Sequence, residues 1–298
     1  MATATTDAWR KVDLLRVLAP WLWLLPAGAV LVPFFVIPIG VIARYSFNRD
    51  DPLAFMVDAW TFENYIRILF DPFYATIFGN TILLSASIAV VTLFAAYPFA
   101  YFIVRYAKGS RDFLLWAVYL PLIVSVIVRV FGWIIITADS GLINSALLGL
   151  GLTSQPVRLL FEVEGMSLAM VHRYLPLMVL PLVNALAKID QAYINAATDL
   201  GASPRHGFLT ITLPLSIPGI VAGFQLVFAN VLSDFVLPNL MGTTRFRLLA
   251  PAIYEEASTH LAYATASAMA MVMMLLVVLI LVLTTLFYRI VAPWARGL

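Results

Sequence analysis

The chain alternates long apolar stretches with short polar ones. A membrane-spanning helix needs about 20 mostly apolar residues. Six stretches meet this requirement, and the first and the last contain no charged residue. We therefore predict an all-α, polytopic membrane protein that forms one domain over residues 1–298. The predicted spans cover roughly 17–43, 79–104, 113–138, 166–187, 213–237 and 261–288.

Composition supports membrane spans and excludes other classes of protein. Hydrophobic residues make up 62% of the chain and charged residues 11%, whereas soluble domains are about half apolar and about a quarter charged. The absence of cysteine excludes disulfides and thiolate metal sites. A net charge of +2 is too small to indicate nucleic-acid binding. The first apolar stretch is too long for the core of a signal peptide.

Lys and Arg are distributed unevenly between the predicted loops, which sets the orientation. With a cytoplasmic N-terminus, ten basic residues lie inside and six outside, so both termini are predicted to be cytoplasmic. The predicted side of the C-terminus depends on the fourth stretch, which contains the polar residues His172 and Arg173. If this stretch does not span the membrane, the C-terminus lies outside. The inner residues are Arg10, Lys11, Arg16, Arg105, Lys108, Arg111, Lys188, Arg205, Arg289 and Arg296; the outer ones are Arg44, Arg49, Arg67, Arg158, Arg245 and Arg247.

The outer loops are long, at roughly 44–78, 139–165 and 238–260. In the first of them, apolar residues at helical spacing predict a short amphipathic helix at the outer surface. These residues are Trp60, Phe62, Tyr65, Ile66 and Leu69.

A polar segment, 190–212, interrupts the apolar pattern between the fourth and fifth spans. Asp190 suits the N-cap of a short helix that ends near Leu200, and Gly201 suits the position just after a helix end. Ser203-Pro204 then indicates a second helix start, which leads into the fifth span. From the residues alone, this helix–turn–helix fits an ordered cytoplasmic loop and a docking surface equally well.

The same segment carries a family motif. Asn195-Ala196-Ala197-x-x-x-Gly201, followed by Leu213-Pro214, resembles the EAA loop of bacterial ABC-importer permeases, whose pattern is E-A-A-x-x-x-G and then I-x-L-P. The stretches 128–144, 172–182 and 233–242 resemble one subfamily, the spermidine/putrescine-type permeases. The resemblance covers most of residues 80–288 and agrees with six spans.

The resemblance implies the permease fold of a type I, binding-protein-dependent importer in the bacterial inner membrane. The implied partners are a second homologous permease, two ATPase subunits and a periplasmic or extracellular substrate-binding protein. ATP and Mg are expected on the ATPase and no cofactor on this chain, which is a transport subunit and not an enzyme. In such permeases the EAA loop forms coupling helices that sit in a groove on the ATPase. The coupling residues implied here are Asn195, Ala196, Ala197, Asp199, Leu200, Gly201 and Pro214.

The motif departs from the family pattern at Asn195, where Glu is usual. Asn cannot make a charge-assisted hydrogen bond, which is about twice as strong as a neutral one. Asp199 is the remaining acidic residue of the predicted helix. We expect Asp199 to be available for an ion pair with the ATPase.

Three charged residues lie inside the predicted spans: Arg129, Arg173 and Asp234. Each costs about 2.5 to 3.5 kcal/mol on membrane-insertion scales, so such residues usually face protein or water. Counting along the spans gives all three a similar depth in the outer half, so Asp234 is expected to pair with Arg129 or Arg173. They form a structural ion-pair network, line a cation path or extend to the interface. Nearby aromatic candidates for cation–π contacts are Phe131, Trp133, Tyr174 and Phe235.

Several other functions find no support in the sequence. No Walker A, H-E-x-x-H or G-x-S-x-G motif occurs. His172, His206 and His260 are far apart, which argues against a metal cluster. A polyamine of the putrescine or spermidine type is the implied substrate. The alternatives are another small organic or ionic solute or, in a different class, a self-contained secondary transporter or channel.

Overall fold

The computed structural model describes residues 25–107, 109–243 and 245–291. The predicted start of the first span and the basic residues at 10, 11, 16, 108 and 296 lie outside them. The elements are α1 Leu25–Tyr45, β1 Arg49–Asp51, β2 Phe55–Val57, α2 Glu63–Phe70, α3 Pro72–Arg105, α4 Arg111–Ile123, α5 Val126–Thr137, α6 Leu142–Gly149, α7 Val163–Ala187, α8 Gln191–Asp199, α9 Pro204–Leu232, α10 Val236–Met241, α11 Leu249–Ser258 and α12 Tyr263–Val291.

Within the described residues, six helical stretches are long and apolar enough to cross a membrane. Five of them are α1, α3, α7, α9 and α12, and they confirm that the predicted first, second, fourth, fifth and sixth spans are helical. The fourth span is a continuous helix of 25 residues despite its two internal prolines. The second begins earlier than predicted because Asp71 caps it, accepting a hydrogen bond from the Phe73 N–H at 2.8 Å.

The third span differs from the prediction of one helix over 113–138. The backbone is extended at Val124 and Ser125, with ψ of 135° at both, and this separates α4 from α5. Pro121 lacks an N–H group and so weakens the last turn of α4. The third stretch that is long and apolar enough to span is Val126–Gly149, a range that contains α5 and α6. Since α5 has only 12 residues and the chain is not helical at 138–141, we assign the crossing to α4 and α5 together.

The fifth span also ends earlier than the predicted residue 237. Helix α9 stops at Leu232, and Asp234 then accepts hydrogen bonds from the N–H groups of Val236 at 3.0 Å and Leu237 at 3.4 Å. A side-chain carboxylate that bonds the following N–H groups competes with helix continuation. The chain therefore starts the short helix α10 in place of another turn of α9.

The core of the bundle is formed by α3, α7 and α9. Gly219 and Gly223 lie one turn apart on α9 and bring it against α7, where a Cβ atom would stand 2.5 Å from the Ala185 Cβ and from the Met178 Sδ, respectively. Small residues let membrane helices approach closely. The largest fully buried side chains of these three helices are Ile77, Ile103, Met166, Met170, Met178, Leu182, Leu186 and Leu232.

The bundle has two ends. One, the hairpin end, carries β1 and β2, the start of α3 and the loops on either side of α10 and α11; the other, the α8 end, carries α8 and the loop after α3. The antiparallel β1–β2 hairpin was not predicted. Its Asp50 carboxylate accepts hydrogen bonds from the N–H groups of Ala264 at 2.7 Å and Thr265 at 3.0 Å. The hairpin thus caps α12.

The predicted amphipathic helix of the first long loop is confirmed as α2. Its Ile68 side chain is fully buried against the start of α3 and against α11 and α12, in a cluster with Ile77, Leu249 and Met269. Ile66, Leu69 and Phe70 of the same helix remain exposed. The helix therefore joins the hairpin to the bundle while presenting an apolar face outward.

Candidate functional site

The polar segment 190–212 folds as the sequence predicts. Asp190 accepts a hydrogen bond from the Ala192 N–H at 2.9 Å and caps α8. Gly201 follows the helix end with φ of +85°, a conformation that side chains with a Cβ rarely adopt. The predicted helix and its glycine stop are confirmed.

The second half of the segment leads directly into the membrane helix α9. Ser203 accepts a hydrogen bond from the His206 N–H at 3.3 Å, and Pro204 is the first residue of α9. A π-helical turn over Phe208–Thr212 precedes Pro214, which has no N–H to donate. Residues 204–212 and the fifth span thus form one continuous helix, α9, and a turn at 200–203 joins this helix to α8.

Residues that sequence reasoning missed attach α8 to the end of α3. The Arg105 Nη1 donates to the Gln191 Oε1 at 2.7 Å, and the Gln191 Nε2 donates to the Asn195 Oδ1 at 3.3 Å. Asn195 thus ends a chain of three side chains that begins on α3. No local sequence pattern predicts this contact, because Arg105 and Gln191 are 86 positions apart in the chain.

A second attachment is aromatic. Phe208, at the start of the π-helical turn, packs edge-on against Tyr97 and Tyr101 of α3, with ring centroids 5.8 and 5.5 Å apart. The Tyr97 hydroxyl lies 2.9 Å from the Ser216 hydroxyl on α9. These contacts fix where the segment enters the bundle.

The tip of the segment has few contacts within the chain. Leu200 is 89% exposed, and a Cβ at Gly201 would meet nothing within 4 Å. No other part of the described chain covers Leu200 or the space beside Gly201. Of the predicted coupling residues, Asn195, Ala196, Asp199, Leu200 and Gly201 are exposed, and Ala197 and Pro214 are half-buried.

The second candidate site is the charged cluster inside the bundle. The Asp234 side chain is 1% exposed, and its Oδ2 lies 3.5 Å from the Arg173 Nη1. The Tyr174 hydroxyl donates to the same Oδ2 at 2.7 Å. The predicted ion pair is therefore made with Arg173. The Arg173 guanidinium also lies 5.3 Å from the Tyr174 ring centroid.

Arg129 lies beside this pair without joining it. It shares a cleft between α5 and α7 with Trp133, His172 and Arg173. The Trp133 Nε1 donates to the His172 Nδ1 at 3.3 Å, and their rings are 5.5 Å apart. The Arg129 Nε and Nη1 atoms are buried and have no hydrogen-bond partner in the described part of the chain.

The aromatic candidates separate into two groups. Trp133 and Tyr174 lie at the charges, as expected. Phe235 instead packs on Tyr254 of α11, with ring centroids 4.8 Å apart, and Phe131 is exposed on α5. Only the first two are in contact with the cluster residues.

A further polar contact inside the bundle was not predicted. The Gln225 Nε2 on α9 lies 3.0 Å from the Leu281 carbonyl oxygen and 2.6 and 2.9 Å from the Thr284 and Thr285 hydroxyls on α12. Polar side chains between membrane helices stabilise their association. A glutamine within a strongly apolar stretch is the signal that identifies such a contact.

Known proteins resemble this chain in both sequence and fold. Residues 163–297 match the family described as binding-protein-dependent transport system inner membrane component. The spermidine/putrescine transport system permease protein PotB of Haemophilus influenzae is 32% identical over 226 residues, 76% of this chain and 79% of that protein. PotB of Salmonella typhimurium is 33% identical over 223 residues, 75% of this chain and 77% of that protein.

The fold is similar to a solved one. A chain in the crystal structure of a bacterial ABC transporter involved in the import of the acidic polysaccharide alginate superposes with a TM-score of 0.75. The superposition covers 95% of this chain and 98% of that chain, at 19% sequence identity. At this identity the match shows the fold alone.

Proposed function

This chain belongs to the family of binding-protein-dependent transport system inner membrane components, as a multi-pass permease subunit of an ABC importer, and we propose that it carries small amines of the putrescine and spermidine class. The observation that carries the substrate class is the similarity to permeases of that named specificity over three quarters of both chains. The fold match on its own supports no substrate, since the structural relative belongs to a polysaccharide importer.

The proposed complex contains a second homologous permease, two ATPase subunits and an external substrate-binding protein. ATP and Mg bind to the ATPase, and this chain supplies half of the translocation path. The exposed tip of the segment 190–212 supports an ATPase contact, because the chain itself leaves Leu200 and Gly201 uncovered. Both chain termini are cytoplasmic in this arrangement, on the side of α8.

In the proposed coupling step, α8 docks on the ATPase and moves with it. Motion of α8 passes to α9 through the turn at 200–203 and to α3 through Arg105 and Gln191. Because Asn195 replaces the usual Glu, its link to Gln191 is a neutral hydrogen bond. We propose that Asp199, exposed on the last turn of α8, supplies the charged contact with the ATPase.

Asp234 has a structural role in this proposal. Two backbone N–H groups, one hydroxyl and one guanidinium already surround its carboxylate. A carboxylate so enclosed is not available to a passing amine unless these contacts break. The geometry therefore favours an ion-pair lock between α7 and the α9–α10 junction over a cation-binding site at this residue.

The test is uptake of labelled putrescine and spermidine by cells that lack their own polyamine importers and express the full complex. We expect uptake that competes with unlabelled polyamine and stops when the ATPase carries an inactivating substitution. Uptake that persists with the inactive ATPase contradicts the importer and indicates a secondary carrier. ATP-dependent uptake of a different solute, without polyamine transport, contradicts the substrate class only.

A further inference from the structure

A cavity lies at the α8 end of the bundle and belongs to neither of the sites described above. Its volume is about 390 Å³, within the range of about 300 to 1,000 Å³ that is usual for pockets that bind small molecules. Its walls come from the last turns of α7, from the membrane part of α9, from the first turn of α8 and from the end of α12.

The cavity begins where α12 is no longer tied to α9. The Gln225 Nε2 of α9 lies 2.6 Å from the Thr284 hydroxyl of α12 and joins the two helices. Ala222 is one turn from Gln225 on the same face of α9, and Tyr288 is one turn from Thr284 on the same face of α12. Both Ala222 and Tyr288 line the cavity. Toward the α8 end, the facing surfaces therefore leave an open space in place of a packed contact.

The cavity reaches from the level of the lipid headgroups into the hydrocarbon of the membrane. Lys188 follows the last residue of α7 and Tyr288 lies near the end of α12, each about 37 Å along its helix at 1.5 Å per residue. The hydrocarbon core is about 30 Å thick, and about 40–45 Å with the headgroups. Both residues are therefore at headgroup level, and Pro181 lies about 10 Å deeper.

The lining changes in chemistry along this depth. Pro181 and Ala222, the lining residues farthest from the α8 end, are apolar, and an apolar cavity binds apolar molecules in preference to water. The other end carries the Lys188 ammonium group and the hydroxyls of Tyr193 and Tyr288. Lys188 is the one charged residue among the described residues that line the cavity. Basic pockets between membrane helices bind anionic headgroups, and tyrosine favours the membrane interface.

We propose that this cavity binds an anionic phospholipid, with an acyl chain between α9 and α12 and the phosphate at Lys188. The lipid comes from the leaflet on the α8 side, which is the inner leaflet in the proposed orientation. It contacts α8 through Tyr193 and so joins the segment 190–212 to the spanning helices. The site goes beyond the proposed function and does not depend on which solute is carried.

Other occupants fit the cavity less well. Putrescine and spermidine are cations, which Lys188 repels, and the described lining residues include no carboxylate to attract them. Lipid, in contrast, already surrounds the neighbouring helix. The surface of α12 beside the cavity is aliphatic and exposed, with Val282, Leu283 and Leu286, and such side chains favour contact with lipid tails.

Lipid retention tests the cavity. The full complex is placed in nanodiscs of equal parts phosphatidylglycerol and phosphatidylethanolamine, transferred to detergent and analysed by native mass spectrometry. We expect the wild type to retain phosphatidylglycerol and Ala222→Phe, whose ring enters the cavity, to lose it. Ala95→Phe makes the same change at an exposed position of α3 and is the control that retains the lipid. Wild-type retention in Ala222→Phe, or equal loss in both variants, overturns the proposal.

A second variant tests the headgroup without filling the cavity. We expect the wild type to retain phosphatidylglycerol about fivefold over phosphatidylethanolamine, and Lys188→Gln to retain the two lipids equally. Arg111→Gln removes a basic side chain that is exposed at the same end of the bundle and does not line the cavity, and it keeps the preference. Equal retention of both lipids by the wild type, or an unchanged preference in Lys188→Gln, overturns the proposal.

A third variant separates lipid from the chain's own end. Residues 292–298 follow Val291, the last residue of α12, close to the cavity. Equal retention of phosphatidylglycerol by the full chain and by a chain without 292–298 supports the lipid site. Retention only after the deletion assigns the cavity to these residues and overturns the proposal. No retention in either form also overturns it and indicates that another subunit covers the cavity.

The lipid site and the substrate class fail in different ways. Retained phosphatidylglycerol without polyamine uptake contradicts the substrate class alone. Polyamine uptake without retained lipid contradicts the lipid site alone. Because both leaflets of the nanodisc contain phosphatidylglycerol, the orientation of the chain does not affect the result.

Discussion

A carboxylate inside a membrane bundle is stable when opposite charge and hydrogen bonds surround it, and Asp234 has both. The pair with Arg173 joins α7 to the junction of α9 and α10. The helix rise of 1.5 Å per residue allows the similar depth of Arg129, Arg173 and Asp234 to be predicted from the sequence. Which arginine pairs depends on how the helices are rotated in the bundle, and a single sequence does not specify that rotation.

Asp234→Asn is expected to destabilise the protein more than it changes transport by folded molecules. The amide oxygen still accepts from the N–H groups of α10, but Arg173 loses its counter-charge, and breaking one partner of a buried pair costs about 3–5 kcal/mol. Melting of purified protein in detergent measures this. Asp139→Asn, at an exposed acid of the hairpin end, is the control and melts like the wild type. Wild-type melting with weakened uptake contradicts the lock and favours the cation path.

At the scale of elements, the sequence predicts structure that depends on neighbouring residues and does not predict structure that depends on contacts between distant residues. Asp190, Gly201 and Ser203-Pro204 determine the segment 190–212 through contacts within three residues, so helix–turn–helix followed from the sequence. The β1–β2 hairpin did not, because it is held by Asp50 bonding to the start of α12, more than 200 residues away. The break between α4 and α5 lies in a continuously apolar stretch, where periodicity gives no boundary.

The docking role of α8 predicts an uncoupling variant. In Gly201→Leu the side chain enters open space, so no clash within the chain opposes it, and the left-handed conformation costs about 1–2 kcal/mol. We expect normal amounts of membrane protein, lost uptake and ATP hydrolysis that no longer responds to the loaded binding protein, because the new side chain blocks the ATPase contact.

Gly151→Leu is a closely matched control for this variant. Gly151 also has positive φ, of +68°, and also has nothing within 4 Å of a Cβ. It lies after α6 at the hairpin end, away from the proposed ATPase contact. We expect Gly151→Leu to share the backbone strain and keep transport. Equal loss of uptake in both variants indicates strain in place of lost docking, and normal uptake in Gly201→Leu contradicts the docking role.

At the scale of the whole molecule, the bundle has two ends of different character. The α8 end presents the segment 190–212, whereas the hairpin end is closed by β1, β2 and α2 over the start of α12. The helices α3, α7 and α9 connect the two ends, and the glycines of α9 bring it into close contact with α7. Composition and span count predicted this layout well, since both depend on length and hydrophobicity and not on how helices pack.

The orientation of these ends decides the mechanism, and two leucines allow it to be measured. Leu53, between β1 and β2, is 91% exposed and Leu200 is 89% exposed, so cysteines at both positions react equally well once reached. The chain has no cysteine of its own. With the α8 end in the cytoplasm, a membrane-impermeant maleimide labels Leu53→Cys in intact spheroplasts and leaves Leu200→Cys unlabelled, and permeabilisation exposes both. Labelling of Leu200→Cys in intact spheroplasts places the segment on the side without ATP. An ATPase cannot reach it there, so the coupling proposal fails with the orientation, whereas the assigned fold and the Arg173–Asp234 pair are unaffected.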